Sequence, residues 1–422
     1  MKNTIQHTAS CADDFDPSSI SVAKAKDIIH QAIQPITGKE KRALRNCLNR
    51  IVADDIHSPV QVPAHTNSAM DGYALAGTDL PTDTIKDYKI IGTAYAGTTF
   101  SGCCKAGEVI RIMTGAVIPN GCDTVVMQEQ VERIDDDYIK IGQGHRIGQN
   151  VRHAGEDIPL GGVVLKAGRR ITPADLGIIA SLGIAEISVY RRPRIAFFST
   201  GDELRSVGET LAEGEIYDSN RYTLYGMLQQ LDVDIIDMGV IKDDPDSMHK
   251  AFVSASEMAD VIITSGGVSV GEADYIKPTL KNLGKTHFWK VSIKPGRPLT
   301  FGKVNKAHFF GLPGNPVAVM VTFYQFIQPA LHYLASGNTH TPITLKARCQ
   351  SVLKKRAGRV ECQRGIYQQN DTGELLVKKT GKQGSGILSS MSQANCFILL
   401  PEESTGVKEG ETVDIQPFIG LV

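Results

Sequence analysis

The stretch DVIITSGGVSVGEADY, Asp260–Tyr275, decides how the chain is read. It opens with VIITS, an apolar, largely β-branched run without alternation, the pattern of a strand covered on both faces. Gly266 and Gly267 come next, and their adjacent backbone N–H groups can cradle an anion. Glu272 and Asp274 then bring negative charge that would repel a bare phosphate. A strand ending in such a loop belongs in a parallel sheet, where ligands bind beyond the carboxyl ends of the strands.

The same pattern extends outward. RIAFFST (194–200), VDIIDMGV (233–240), THFWKVSI (286–293) and AHFFGL (307–312) read as strands. SNRYTLYGMLQQL (219–231), DSMHKAFVSASEM (246–258), DYIKPTLKNL (274–283) and the apolar NPVAVMVTFYQFIQPALHYL (315–334) read as helices. Spacing of about 30 residues fits βαβ units around a doubly wound sheet over 191–337. Before it, SVAKAKDIIHQAI (21–33) is helical with Ser21 as N-cap. Thr37 and Glu40 have the spacing of a capping box, and RIVADDI (50–56) reads as a strand. Residues 61–155 alternate in short β-rich pieces and form an inserted β domain. ITPADLGIIASLGI (171–184) is a helix with Thr172 as cap, Pro173 at N1 and Asp175 at N3. Residues 19–60 and 156–190 then make one segmented domain. Residues 338–422 alternate again without helices, a C-terminal β domain, and 1–18 read as a disordered tail.

The 422 residues carry 45 Lys and Arg against 46 Asp and Glu, a net charge of −1, and one Trp. That balance argues against a nucleic-acid or membrane footprint spread over the whole surface, and base-stacking platforms have few aromatics to draw on. The eight cysteines show no C-x-x-C pair, so free thiols in a reducing, cytoplasmic setting are expected. No signal peptide and no membrane span are expected from the sequence.

Successive strands deliver acids to one rim: Asp202 and Glu203 after RIAFFST, Asp243 and Asp244 after the next strand, Glu272 and Asp274 after VIITS. Like charges in one crevice need a cation, and Mg²⁺ shared with phosphate oxygens resolves the conflict with the glycine nest. Lys290, Ser292 and Lys294 fall at period two on the strand after these, with Arg297 just beyond, and GLPGNP (311–316) leads into a helix N-terminus. The rim is thus expected to be acidic on one side and basic on the other. Asp71, in TNSAMDGYAL (66–75), reads from local chemistry as an Asx-turn residue beside Gly72, and Arg152, Glu156 and Asp157 as an exposed ion-pair cluster.

Taken together, TNSAMDGYAL, RHAGED (152–157), STGDEL (199–204), DDP (243–245), TSGGVSVGEADY, WKVSIKPGRP (289–298), GLPGNP and QRG (363–365) resemble, in order, the motifs of the molybdopterin molybdenumtransferase family, bacterial MoeA and the catalytic half of gephyrin-type proteins. The resemblance runs from about Ser21 to the C-terminus. It implies a MogA-like α/β domain, an inserted β domain, a segmented elongated domain and a β-barrel-like C-terminal domain. It also implies an enzyme that takes adenylylated molybdopterin and molybdate, releases AMP with Mg²⁺, and leaves molybdenum on the dithiolene. Carried over by motif, Asp71, Asp157, Glu203, Lys290 and Lys294 are the expected catalytic residues. Thr114, Ser265, Gly266, Gly267, Ser269, Arg297, Pro313, Gly314, Asn315, Pro316, Arg364 and Ser385 are expected to bind substrate, and Asp243, Asp274 and Glu203 to hold the metal. A homodimer with a site shared between subunits is implied, with transient contacts to the molybdopterin adenylyltransferase and molybdoenzyme maturation factors. GKQGSG (381–386) lacks the histidines that the family often shows there. The alternatives are the preceding adenylylation step and a gephyrin-like receptor scaffold.

Overall fold

Alternate residues of the central strands serve two opposite cores. Ile195, Phe197, Ile263 and Phe310 pack with Leu224, Met227, Ala25 and Ile29 on one face; Ala196, Phe198, Ile262 and Phe309 pack with Met248, Phe252, Ile276 and Leu280 on the other. This is why those strands lack polar alternation: neither face meets water. The structure, a computed structural model, describes residues 16–266, 276–339 and 341–418. The chain forms two compact units, one of the residues up to Glu40 with those from Tyr190 onward, the other Lys41–Val189.

In the first unit a six-stranded sheet runs in the order Asp234–Ile241, Arg194–Thr200, Val261–Ser265, Ala307–Leu312, Thr300–Val304, Gly284–Phe288. The first four are parallel, and Thr300–Val304 runs antiparallel to both its neighbours, Ala307–Leu312 and Gly284–Phe288. The order reverses between Arg194–Thr200 and Val261–Ser265, a switch point whose carboxyl ends open a crevice. A second sheet closes on itself. Val360–Gln369 pairs with Leu375–Lys379, then Leu345–Cys349, Thr412–Pro417 and Cys396–Leu400, which pairs back to Val360–Gln369. Ala347, Val377, Ile398 and Ile415 fill its interior. The multidomain α/β-plus-β architecture with a barrel-like C-terminal sheet is therefore present.

Three local expectations are corrected. The strand expected over THFWKVSI stops at Phe288; Ile293–Lys294 instead pairs in parallel with Val360–Glu361 of the barrel. Lys290 and Lys294 therefore do not lie along one strand face. No helix begins after Thr37, because Lys39–Ala43 is extended, and Ile51 and Val52 make only isolated bridges. The expected tail over 1–18 does not extend to residue 18: the Asp16 carboxylate is buried, and Ile20 bridges to Val291.

The second unit holds a six-stranded sheet in the order Thr124–Met127, Gly72–Leu75, Glu108–Ile112, Lys86–Ala94, Tyr138–Ile141, Val131–Arg133, around Tyr73, Tyr88, Val109, Val126 and Ile139. Its helix Pro173–Ser181 carries the full capping box: Asp175 N–H donates to Thr172 Oγ1 at 3.3 Å and Thr172 N–H to Asp175 Oδ2 at 2.8 Å. Among the described residues, no helix is long and apolar enough to cross a membrane.

Candidate functional site

Beside the carboxyl end of Ala307–Leu312, a cavity of about 1080 Å³ opens between the α/β sheet and the barrel, and Lys294, Arg297, Pro313, Asn315, Arg364 and Ser385 all line it. Six residues expected to handle substrate, separated by up to 91 positions from Lys294 to Ser385, thus meet in one place. The barrel adds Lys354, Lys355, Arg356, Arg359 and Lys408, while the acids of the lining are Glu361 and Glu411. A cavity so biased in charge selects anions, and its low-dielectric walls strengthen the field.

Arg364 is 1% exposed. Its Nε donates to Ser390 Oγ and its Nη2 to the Gly384 carbonyl, both at 3.0 Å, which leaves part of its fork for a ligand. Burial lowers its pKa to about 10, with Glu361 and Cys362 pulling the other way, so the guanidinium stays charged at neutral pH. Lys294 Nζ donates to Glu361 Oε2 at 3.3 Å, and Gln363 Nε2 donates to the other Glu361 oxygen at 3.0 Å. Glu361 is 7% exposed and so fixes the ammonium against the cavity wall. Lys355 is a brace: its ammonium donates to the carbonyls of Arg356, Glu402 and Ser404 at 3.2, 3.1 and 2.9 Å. The turn after the strand is tied down as well, by Val317 N–H to the Ser385 carbonyl at 3.0 Å and Asn220 Nδ2 to the Gly314 carbonyl at 2.7 Å. Pro316 opens the next helix.

Other expected residues stand outside this lining. Lys290 Nζ donates to Asp16 Oδ2 at 2.9 Å, the same oxygen that lies 3.9 Å from Nη1 of the cavity residue Arg297. Burial alone would raise the Asp16 pKa; the Ser18 hydroxyl, Lys290 and the Ser18 N–H outweigh it and hold the value at about 2. Ser265 is buried, its hydroxyl 3.0 Å from that of Ser199. Gly266 has φ +87°, and a β-carbon there would stand 2.4 Å from the Thr200 carbonyl oxygen, so only glycine fits. Its N–H donates to the Leu312 carbonyl at 3.3 Å, which joins the switch point to the cavity turn.

On the rim, the Asp243 backbone N–H donates to Asp202 Oδ1 at 3.4 Å, which ties together the loops that follow two neighbouring strands. Glu203 is exposed on the same turn. Asp244 is taken by the fold: it caps the helix Pro245–Met258 through the N–H groups of Asp246 and Ser247 at 3.1 and 2.9 Å. Among the described residues no three His, Cys, Asp or Glu side chains converge as a metal set. Gly267, Ser269, Glu272 and Asp274 lie outside the described residues.

In the second unit, Asp71 does not form the local turn expected beside Gly72. Its Oδ1 accepts both the N–H and the hydroxyl of Thr114, each at 2.7 Å. The Thr114 N–H, then its hydroxyl, lower the Asp71 pKa. Two residues paired only by motif are thus one hydrogen-bonded unit. Asp157 is exposed, and Glu156 accepts the His153 N–H at 2.8 Å instead of joining an ion-pair cluster. Sequence reasoning missed Glu361, Asp16 and the barrel cations. The run KKRAGR, 354–359, was a visible signal for the last, as a basic cluster in a chain of balanced charge.

Models of three families match consecutive parts of the chain: the MoeA N-terminal region (domains I and II) over 20–183, a probable molybdopterin binding domain over 196–333, and the MoeA C-terminal region (domain IV) over 346–418. A molybdopterin molybdenumtransferase of Haemophilus influenzae is 45% identical over 387 residues, covering 92% of this chain and 95% of that one. Gephyrin of Dictyostelium discoideum is 33% identical, covering 89% of this chain and 58% of its own. Among solved structures, the molybdopterin biosynthesis MoeA protein of Pyrococcus horikoshii superposes with a TM-score of 0.82 at 29% identity, covering 94% of this chain and 100% of that one. With nearly the whole length matched in sequence and in fold, the chain belongs to the MoeA family of molybdopterin molybdenumtransferases, relatives of gephyrin.

Proposed function

We propose that the protein inserts molybdenum from molybdate into adenylylated molybdopterin and releases AMP. The broad assignment, a transferase of molybdenum cofactor biosynthesis, follows from the family. The finer reading is carried by one observation: one expected catalytic residue, Lys294, and five expected substrate-binding residues line a single cationic cavity. Molybdate is a tetrahedral dianion, and paired cationic donors hold such an oxyanion with charge-assisted hydrogen bonds. Lys294 and the remaining part of the Arg364 fork are those donors, and Ser385 adds a neutral one. Glu361 keeps Lys294 in place before the anion arrives, which lowers the entropic cost of binding.

The adenylate belongs to the acidic side of the rim. Asp243 and Glu203, with Asp274, are the carboxylates that would hold Mg²⁺, and the Asp243 N–H bond to Asp202 ties together the two loops that carry Glu203 and Asp243. Mg²⁺ bound there would neutralise charge on the phosphoanhydride oxygens as AMP leaves. Asp71, ionised and aligned by Thr114, acts on the adenylate from the opposing subunit of a homodimer, so each site draws on both chains.

The test is AMP release from adenylylated molybdopterin with Mg²⁺, with and without molybdate. Molybdate-dependent release with molybdenum retained on the pterin is expected. Adenylylation of free molybdopterin instead would support the preceding step, and a stoichiometric protein partner without turnover would support a scaffold.

A further inference from the structure

We propose that Asp218 and Asn220 form an acceptor site for the N–H edge of the substrate's heterocycle, a ring of the 2-amino-4-oxopteridine class. The inference rests on the functional reading above but concerns residues that reading does not use.

Asp218 caps the helix Ser219–Gln229 with one oxygen: its Oδ1 accepts the Arg221 N–H at 3.1 Å. The residue is 2% exposed, and Oδ2 is buried with no hydrogen-bond partner among the described residues. Asn220, two positions on, spends its Nδ2 on the Gly314 carbonyl, while its Oδ1 is likewise buried without a partner among them. Each such acceptor costs about 1–3 kcal/mol when left unpaired. Capping does not require the expense, since Ser or Asn would cap as well with one oxygen. The second Asp218 oxygen is therefore surplus to folding.

Placement makes the surplus useful. The helix comes after the strand Arg194–Thr200, and Gly314 after the strand Ala307–Leu312; Val261–Ser265 lies between these two in the sheet. The Asn220 side chain thus spans from one carboxyl-end loop to the next but one, at the switch point where ligands bind in such sheets. Thr200 Oγ1 and Thr264 Oγ1, near the ends of the two strands flanking the switch, are also buried without partners among the described residues. Asn315, next to Gly314, lines the cationic cavity. Acceptor oxygens beside a cationic cavity suit a ligand with an anionic end and a donor-rich end. An aminopyrimidinone edge presents parallel N–H donors, which a carboxyl and an amide oxygen can receive, whereas a phosphate would meet these oxygens with like charge.

The test is fluorescence titration of the full chain with 6-hydroxymethylpterin and with 6-hydroxymethyllumazine, in which oxygen replaces the 2-amino donor. Wild type should prefer the pterin by about tenfold or more, the weight of one charged hydrogen bond. Asp218→Asn and Asp218→Ser both keep the cap, so the melting temperature should hold while the preference falls to near one. Equal affinity for the two rings in wild type overturns the proposal, as does a preference that survives both variants. A loss confined to Mg²⁺ binding also overturns it and assigns these oxygens to a cation. Molybdate affinity, measured on the same proteins, tests the cationic cavity separately: its absence in wild type would sink the functional reading and leave the ring preference to be judged on its own.

Discussion

Lys294 shows how a single residue changes meaning once its partner is known. Its side chain is 49% exposed, yet its ammonium is held by Glu361, whose carboxylate is nearly buried. Lys294→Gln should weaken molybdate about tenfold or more, the usual weight of a charge-assisted hydrogen bond, and spare the nucleotide. The apparent molybdate constant at fixed adenylylated pterin measures this; equal loss for both ligands would give Lys294 a phosphate role. Asp16 makes the complementary case. Its pKa of about 2 lies below the ordinary 3.8, so its contribution to stability is present above pH 3.8 and is lost as pH falls towards 2. Asp16→Asn should lower the denaturation free energy at pH 7 by about 2 kcal/mol, the size that shift implies, and flatten its acid slope. Urea titrations at pH 3 and pH 7 decide it.

At the scale of an element, the strand Ala307–Leu312 carries a titrating group in its interior. His308 is buried, and its Nδ1 has no partner among the described residues. Burial, then Lys303 and His287, push its pKa down to about 4, while Asp260 opposes them. A histidine kept neutral in the fold binds fewer protons than in the unfolded chain. Its contribution is therefore complete above the ordinary 6.5 and is lost as pH falls from there towards 4. His308→Gln should make the fall in stability over that window shallower by about 1 kcal/mol per pH unit. An unchanged slope would remove His308 from the account. The helix Pro245–Met258 offers a simpler case. Asp244→Ala should lower the melting temperature through the lost cap and leave AMP release at its normal rate, which separates Asp244 from its neighbour Asp243.

For the whole molecule, the question is whether Asp71 serves a site on the other subunit. Asp71→Ala and Asp274→Ala homodimers should each be nearly inactive. In a mixed dimer, two-fold symmetry gathers both defects into one site and leaves the other intact. Half of a fully exchanged mixture is mixed dimer with one good site of two, so activity should return to about a quarter of wild type. Verified mixed dimers without recovered turnover would show that each site is built within one chain.

Local order was legible in the sequence wherever neighbours along the chain supply the physics. The capping box at Thr172 and Asp175, the cap at Ser21 and the doubly buried strands RIAFFST and VIITS arise from hydrogen bonds and burial within a few residues. The GLPGNP turn, which follows the strand Ala307–Leu312 and leads into the helix opened by Pro316, came from the same strand logic. What the tertiary structure decided is pairing across distance. WKVSI is apolar enough to continue a strand, but the barrel strand Val360–Gln369 competes for Ile293–Lys294 and breaks it. Asp71 could satisfy itself locally, yet the Thr114 N–H lies 43 residues away and offers two donors with its hydroxyl where a local turn offers one. Lys290 finds Asp16 and Lys294 finds Glu361 because a nearly buried carboxylate takes the nearest counter-charge in space, and that nearness is set by chain segments 274 and 67 residues apart being brought together.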